Sequence, residues 1–265
     1  MDAREHGEYF VTGEILPEAY HNALLRLHKN GAIYPCTDWN TEQKEISLTM
    51  VVENPTEEPM ISKLFIGGPR ELEQYRQEML DGILDFEIAK GNWAYTYHDR
   101  ITHYSVLNGA GFLNQIDFVI QELTRNPDSR RAVITVRDTA VDVFGDDPAC
   151  LQHIQYFVRD GKLHCKVLFR SNDACKATLM NTFALVCLQK RIADDLGVPV
   201  GTYTLRANSF HCYAEDYAML EGYCNRIESA KNMYDVAVDY IGDWEEMMEE
   251  YKPEIAELVA ELAAR

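Results

Sequence analysis

The chain has 265 residues, of which 46% are hydrophobic and 26% charged, an ordinary composition for a folded globular protein. Its formal net charge of −18 argues against general nucleic-acid binding, because that activity relies on a basic surface. No apolar run approaches the roughly 18 residues of a membrane-spanning helix, and the polar start MDAREHGEYF does not have the pattern of a signal peptide. We therefore expect neither a nucleic-acid partner nor a membrane partner.

The cysteines point to a reducing compartment. There are seven of them, an odd number, and no two form a Cys-x-x-Cys pair. Neither a disulfide framework nor a zinc site is indicated by this pattern. We expect reduced thiols, a cytoplasmic location and no bound metal.

The first part of the chain predicts two helices and a strand. Residues 17–29 have apolar side chains at helical spacing, and residues 45–52 alternate like a strand that ends in a turn. Residues 69–83 predict a second helix, with Pro69 near its start.

The second part predicts further helices and a hairpin. Residues 111–126 have a helical pattern, and residues 130–138 (RRAVITVRD) read as a β-branched strand. Two alternating stretches then flank Asp160-Gly161, a dipeptide typical of a tight hairpin turn. Residues 175–196 predict a long helix, and the stretch TYTLRANSFHCYAED begins as a strand before an acidic helical tail.

Strands and helices therefore mix without a strict βαβ alternation. This pattern predicts an α/β (α+β) fold with a large mixed sheet flanked by helices. No repeat, low-complexity segment or Pro/Gly-rich linker divides the chain, so we expect a single domain over residues 1–265.

Cys150 is the first candidate for chemistry. A thiol becomes a nucleophile when its pKa falls, which needs nearby positive charge or hydrogen-bond donors. Pro148 and the loop context indicate partial exposure, whereas Cys165 and Cys187 lie inside apolar strand or helix patterns. Free cysteines are mostly buried and structural, so the pattern by itself leaves that role open for Cys150.

Arginines form the second candidate set. Arg130 and Arg131 are adjacent at a predicted strand start, and Arg170 is followed by Ser171 at the end of another strand. The planar guanidinium donates two parallel hydrogen bonds to a phosphate. Such residues are also common on solvated surfaces, so a phosphate site follows only if they act as a set.

Polar residues in apolar surroundings complete the candidates. Asn172 or Asp173 can cap the helix that follows. Asn181 lies about two turns into that helix among apolar residues, where a buried amide needs partners such as the edge of a pyrimidine. His211 and Tyr213 share one face of an extended stretch, where they could hold sugar hydroxyls or pack in the core.

These residues together resemble the thymidylate synthase family, including its pyrimidine hydroxymethylase branch. The stretches PACLQHIQYFV, GKL, RSND and HCY carry the resemblance over residues 130–217, and NWAYTYHDR (92–100) resembles the shorter archaeal-type members. The matching positions, in the order that the family uses, are Arg130-Arg131, Cys150, Gln155, Arg170-Ser171, Asp173, Asn181 and His211-x-Tyr213.

The resemblance implies a covalent mechanism and a reduced-folate donor. Cys150 would add to C6 of a pyrimidine, so that C5 attacks a methylene group delivered by 5,10-methylenetetrahydrofolate or a methanopterin relative. Glu78 in EMLDG is the candidate for managing protons at the C4 oxygen, with Glu71 on the same helical side as the alternative. Tyr95 is the candidate for the region of proton abstraction.

The resemblance also implies a homodimer that binds a pyrimidine nucleoside monophosphate in shared sites. The implied contacts are Arg170 and Ser171 to the 5′-phosphate, Arg130 and Arg131 to the phosphate held by the neighbouring subunit, Asn181 to the base, His211 and Tyr213 to the sugar 3′-hydroxyl, Asp173 to folate and base, and Gln155 to the nucleotide as a whole. Arg170 could also lower the pKa of Cys150.

Departures from the family pattern leave the product open. Leu151 follows the nucleophile where many members have histidine, and the chain ends in ELAAR rather than in the short apolar tail that closes over folate. Without closure, water could convert the methylene intermediate to a hydroxymethyl product. We therefore expect conversion of dUMP to dTMP, which Asn181 favours, because the viral dCMP hydroxymethylases lead one to expect aspartate there. The alternatives are a hydroxymethylase acting on dUMP, dCMP or CMP, a catalytically silent nucleotide-binding homologue, and an unrelated cysteine hydrolase.

Overall fold

The computed structural model describes residues 7–106, 111–238 and 244–265. They divide into two compact units, each assembled from three separate stretches of chain. The first unit falls within residues 1–66, 166–183 and 201–239, and the second within residues 67–165, 184–200 and 240–265. The predicted single-domain organisation stays a prediction.

The described residues contain a main sheet of seven strands and a separate pair of short strands. In chain order the strands are β1 (Glu8–Gly13), β2 (Ala32–Cys36), β3 (Thr41–Val52), β4 (Tyr104–Val106), β5 (Gly111–Leu113), β6 (Val133–Thr135), β7 (Leu151–Arg159), β8 (Lys162–Asp173) and β9 (Val200–Tyr213).

Parallel and antiparallel pairs occur together in the main sheet. In the first unit the strand order is β1-β3-β9-β8, with β1 parallel to β3, β9 antiparallel to β3, and β2 paired with β3 off this path. In the second unit the order is β8-β7-β6, with β6 antiparallel to β7. This topology confirms the prediction of a mixed α/β fold with a large sheet.

Helices accompany the strands in both units. In chain order they are α1 (Leu16–Asn30), α2 (Pro69–Asp81), α3 (Phe86–Ala89), α4 (Tyr97–Thr102), α5 (Gln115–Arg125), α6 (Thr139–Asp142), α7 (Thr178–Leu196), α8 (Tyr217–Ser229) and α9 (Trp244–Ala264). Across the part of the chain that the structure describes, none of these helices is long and apolar enough to cross a membrane.

Helix α1 packs on β1 and β3 through one apolar stripe, as its spacing predicts. Leu16, Tyr20, Leu24 and Leu27 recur at intervals of three or four residues, and all four are fully buried. The Tyr20 hydroxyl satisfies its hydrogen-bonding requirement by donating to the Ala174 carbonyl oxygen at 3.0 Å. The periodicity of the sequence was therefore sufficient to find this helix.

The hairpin between β7 and β8 is also confirmed. Asp160 and Gly161 both have positive φ angles, of 52° and 72°, as a two-residue turn between twisted strands requires. Because β7 begins at Leu151, the turn sets the register of the strand that directly follows Cys150.

Two predicted boundaries differ from the structure. The predicted helix over residues 111–126 begins only at Gln115, after β5, because the Asn114 side chain accepts hydrogen bonds from the N–H groups of Ile116 and Asp117 and caps the helix there. The predicted strand over residues 130–138 is limited to the three residues of β6.

Helix α2 contains a buried ion pair. Both carboxylate oxygens of Glu73 accept hydrogen bonds at 2.7 Å from the guanidinium of Arg76, and Gln77 donates a third, also at 2.7 Å. The Glu73 side chain is fully buried, and 18% of the Arg76 side chain is exposed. Removal of one partner would leave the other charged in a poorly solvated place.

We expect Glu73→Ala to lower the free energy of unfolding by about 3 kcal/mol, because Arg76 loses its buried partner. Asp194→Ala is the matched control, since it breaks an exposed helical pair with Lys190 and should cost less than about 1 kcal/mol. Urea unfolding of both variants measures the difference, and equal losses would contradict the assignment.

Candidate active site

The predicted site residues divide between the two compact units. The second unit contains Glu78, Tyr95, Arg130, Arg131, Cys150 and Gln155, and the first contains Arg170, Ser171, Asp173, Asn181, His211 and Tyr213.

A cavity of about 650 Å³ lies within the second unit. Its walls are mainly aromatic and acidic, and they come from three separate segments of the chain. The lining includes Tyr75 and Glu78 from α2, Trp93, Tyr95 and Tyr97 from the segment that leads into α4, and Asp146 and Asp147 from the segment that leads to Cys150.

Cys150 is half-buried and directly precedes β7. Leu151 after it is fully buried, which anchors the start of the strand. The Gln152 side chain stabilises the backbone before the cysteine by donating a hydrogen bond to the Ala149 carbonyl oxygen at 2.7 Å. Cys165 and Cys187 are buried, as their apolar surroundings predict.

The Glu78 carboxyl is partly removed from water. Burial raises its pKa above the ordinary value, while a hydrogen bond donated by Gln74 at 2.9 Å opposes this shift. The alternative, Glu71, is exposed and caps α2 by accepting the Gly68 N–H at 2.7 Å, a bond that contributes most to lowering the pKa of Glu71. Of the two, only Glu78 is in the environment that a proton-managing carboxyl needs.

Three tyrosines surround this part of the cavity, and the sequence prediction named only Tyr95. The Tyr95 and Tyr97 rings lie 5.8 Å apart, and the Tyr97 oxygen accepts the Leu151 N–H at 3.3 Å. Burial raises the pKa of both Tyr75 and Tyr97, and the charge of a Cys150 thiolate adds to each shift, so these phenols are near Cys150 and stay neutral. The spacing Tyr95-x-Tyr97 could have indicated Tyr97 as a second site residue. Tyr75 could not have been found in this way, because in the sequence it is one residue of the apolar stripe of a predicted helix.

The paired arginines are exposed at the approach to β6. The side chains of Arg130 and Arg131 both face solvent, and Gln155 on β7 donates to the Arg130 carbonyl oxygen at 3.0 Å. The structure thus brings Gln155 to the backbone of the arginine pair. Contact of the guanidinium groups with a neighbouring subunit stays a prediction.

In the first unit, the predicted sugar and phosphate residues cluster where β8 and β9 end. The His211 and Tyr213 rings meet edge to face with centroids 4.8 Å apart, and Ser171 Oγ lies 3.5 Å from His211 Nδ1. Burial lowers the pKa of His211, with the Asp173 carboxylate opposing and the Arg170 guanidinium adding to the effect. Among the described residues His211 Nε2 has no hydrogen-bond partner although the side chain is buried, so it can still bond to a ligand.

Asp173 also has the capping role that the sequence left open. Its Oδ1 accepts the N–H groups of Cys175 and Lys176, both at 2.9 Å, at the turn that leads into α7. Asn181 lies in α7 and is 4% exposed, as expected for an amide held inside apolar surroundings.

The cavity offers flat aromatic surfaces to a planar ring system, with carboxyl and phenol groups at its edges. Within residues 7–106, 111–238 and 244–265, no group of three or more His, Cys, Asp or Glu side chains could hold a metal ion.

Comparisons with known proteins point to one family. The family model described as thymidylate synthase matches residues 65–255. A protein of Methanocaldococcus jannaschii named "Putative thymidylate synthase" is 32% identical over 213 residues, covering 77% of this chain and 91% of that protein. "Thymidylate synthase 1" of Bacillus subtilis is 26% identical over 216 residues, covering 76% and 70%.

A solved structure has the same fold. The thermostable thymidylate synthase A from Bacillus subtilis superposes with a TM-score of 0.63 at 18% sequence identity, covering 84% of this chain and 92% of that one. The predicted thymidylate-synthase-like fold is thereby confirmed. The chain belongs to the thymidylate synthase family.

Proposed function

We propose that this protein transfers a one-carbon unit from a methylene-tetrahydrofolate-type donor to C5 of a pyrimidine nucleoside monophosphate, with dUMP to dTMP as its leading reaction. One observation carries the proposal: a desolvated carboxyl, Glu78, and the phenol of Tyr95 line one cavity together with the segment that leads to Cys150. Membership of the thymidylate synthase family supports the same class of reaction.

Cys150 is the proposed nucleophile. Its thiolate adds to C6 of the pyrimidine, so that a C–S bond forms and the electrons of the C5–C6 double bond move toward the C4 carbonyl oxygen. C5 then becomes nucleophilic enough to attack a methylene carbon. Covalent addition divides one difficult substitution into easier steps. The half-buried position of Cys150 beside neutral phenols supports this role.

Glu78 is the proposed proton carrier at the C4 oxygen, acting through water. Because burial raises the pKa of its carboxyl, Glu78 can hold a proton closer to neutral pH than an exposed glutamate can. The Tyr95 hydroxyl is proposed to act where the C5 proton leaves.

The first unit is proposed to bind the nucleotide. Arg170 and Ser171 would hold the 5′-phosphate, and a sugar hydroxyl would give the buried Nε2 of His211 its missing partner. The remaining proposed contacts are Tyr213 to the same hydroxyl, Asn181 to the base, Asp173 to base and donor, and Gln155 to the nucleotide as a whole.

The donor is proposed to be 5,10-methylenetetrahydrofolate or a methanopterin relative. It supplies the methylene carbon and, for a methyl product, a hydride. Trp93 and Tyr95 give the cavity wall flat apolar surfaces that suit a pterin ring. Asp85 and Asn92 add polar groups for its edge.

The proposed assembly is a homodimer with shared sites. The exposed guanidinium groups of Arg130 and Arg131 are free to reach a phosphate bound by a second subunit. The seven cysteines, all outside disulfide bonds, support a reducing, cytoplasmic environment.

Hydroxymethylation is the second candidate, because the last helix, α9, makes polar contacts with Arg70 and Lys90, which do not line the cavity. Glu254 on α9 pairs with Arg70 at 2.7 Å, and the Leu262 carbonyl oxygen accepts a hydrogen bond from Lys90 at 2.6 Å. The cavity lining itself comes from within residues 75–147. A methylene intermediate left open to water would give a hydroxymethyl product and tetrahydrofolate.

Product analysis distinguishes the two candidates. Incubated with dUMP and methylene-tetrahydrofolate, the protein should form dTMP and dihydrofolate, with the accompanying rise in ultraviolet absorbance. Tetrahydrofolate with a hydroxymethyl nucleotide would establish the hydroxymethylase instead. The same assay with dCMP and CMP identifies the base and the sugar.

We expect Cys150→Ala to abolish the covalent complex that the wild type forms with 5-fluoro-dUMP and methylene-tetrahydrofolate, because no thiolate remains to add to C6. Cys36→Ala is the matched control, since Cys36 is the other half-buried thiol. Denaturing mass spectrometry detects the complex. A wild-type protein that binds nucleotide without forming it would support a catalytically silent homologue.

We expect Glu78→Gln to lower kcat at least about a hundredfold, because the exchangeable proton is lost. The same change should raise the melting temperature at about pH 8, where the folded state carries the cost of a partly buried carboxylate. The gain should vanish at about pH 3, below the pKa of the group in both the folded and the unfolded state.

Glu71→Gln is the control on the same helix. It removes the exposed carboxylate that caps α2, so activity should persist while the melting temperature falls or stays unchanged. Loss of activity in Glu71→Gln together with an active Glu78→Gln would reverse the assignment.

A further inference from the structure

The hydroxyl of Tyr97 lies against the backbone that carries Cys150. The Leu151 N–H donates to the Tyr97 oxygen at 3.3 Å, and Leu151 directly follows Cys150. Tyr97 is the first residue of α4, and Leu151 is the first residue of β7. One phenol therefore ties the start of a helix to the main chain one residue from the proposed nucleophile.

The same phenol keeps a proton to donate. Burial raises the pKa of Tyr97 well above its ordinary value, and the charge of a Cys150 thiolate would add to the shift. A neutral phenol has one O–H donor besides its acceptor lone pairs. The Leu151 N–H occupies a lone pair, so the proton can be donated inside the cavity that Tyr97 lines.

The wall of the cavity that Tyr97 lines is rich in phenols and carboxyls. Its titratable groups are Tyr75 and Glu78 from α2, Tyr95 and Tyr97 from the segment into α4, Asp85 after α2, and Asp146 and Asp147 from the segment that leads to Cys150. A protonated phenol can donate a hydrogen bond to a thiolate, whereas an ionised carboxylate can only accept one. Donation of a hydrogen bond by the Tyr97 phenol would favour the thiolate form of Cys150.

We propose that Tyr97 is a positioning residue for Cys150: its oxygen fixes the main chain at Leu151, and its hydroxyl proton stabilises the thiolate. The inference rests on the proposed function, because it assumes that Cys150 is the nucleophile. No bond is made or broken at Tyr97, whose hydroxyl acts through the thiol.

The test compares Tyr97→Phe with Tyr104→Phe. Tyr104 is the matched control because its hydroxyl also makes one hydrogen bond to the main chain, donated to the Arg137 carbonyl oxygen at 3.1 Å, but Tyr104 does not line the cavity. The primary readout is the rate of Cys150 alkylation by iodoacetamide as a function of pH, followed on the Cys150 peptide by mass spectrometry and measured without substrate.

We expect Tyr97→Phe to move the alkylation midpoint upward by about one pH unit, because the thiolate loses a donor. Its kcat with dUMP should fall about tenfold to a hundredfold, because a small displacement of the nucleophile is costly, while the KM for dUMP stays within about twofold. Tyr104→Phe should match the wild type in alkylation midpoint, kcat and KM.

An unchanged midpoint in Tyr97→Phe, or an equal shift in Tyr104→Phe, would overturn the inference. If Tyr97→Phe does not fold, 3-fluorotyrosine placed at position 97 keeps the ring and makes the hydroxyl a stronger donor. The midpoint should then move downward, and an unchanged midpoint would again overturn the inference.

Failure of the proposed function is a separate result. A wild-type protein that forms no covalent complex with 5-fluoro-dUMP overturns that function. A wild-type protein that forms the complex, while Tyr97→Phe reacts and titrates as the wild type does, overturns the role of Tyr97 alone.

Discussion

Desolvation of the Glu78 carboxyl is the constraint on which the proposed chemistry of the cavity depends. A carboxyl in water is ionised at neutral pH and carries no proton to give, whereas partial burial raises its pKa and makes proton exchange possible there. Aromatic side chains line the same cavity as Glu78 and offer flat surfaces to a planar ring. Burial of an ionisable group costs stability, a cost that proteins commonly accept at functional sites.

The neutral phenols follow from the same constraint. Tyr75 and Tyr97 stay protonated because ionisation in the partly dehydrated cavity is unfavourable. Neutral phenols donate hydrogen bonds to a thiolate and add no negative charge next to it. Carboxylates in the same positions would add negative charge and disfavour the thiolate. In the first unit, burial has a related effect at His211, which is kept neutral with one ring nitrogen still able to bond to a ligand.

Local patterns were sufficient wherever a structural element depends on its own residues. The α1 stripe and the Asp160-Gly161 turn were predicted correctly, because helical spacing and positive φ are properties of the segment itself. The start of α5 was predicted too early, because the Asn114 cap competes with a pattern that continues through it. Strand β6 is shorter than the predicted strand over residues 130–138. Its length depends on how many residues pair with β7, and an alternating sequence does not contain that information.

The sequence by itself determined the family and the order of the residues proposed for the site, from Arg130 to Tyr213, since spacing along a chain is preserved in the letters. It also placed Glu71 and Glu78 on one side of the same helix, where both remained candidates for the carboxyl that manages protons at the C4 oxygen. Only the tertiary structure separated them, leaving Glu71 exposed at the helix start and Glu78 partly buried in the cavity wall. It alone brought Tyr97 to Leu151. Burial and contact depend on which distant segments pack over a residue, and no local pattern contains that information.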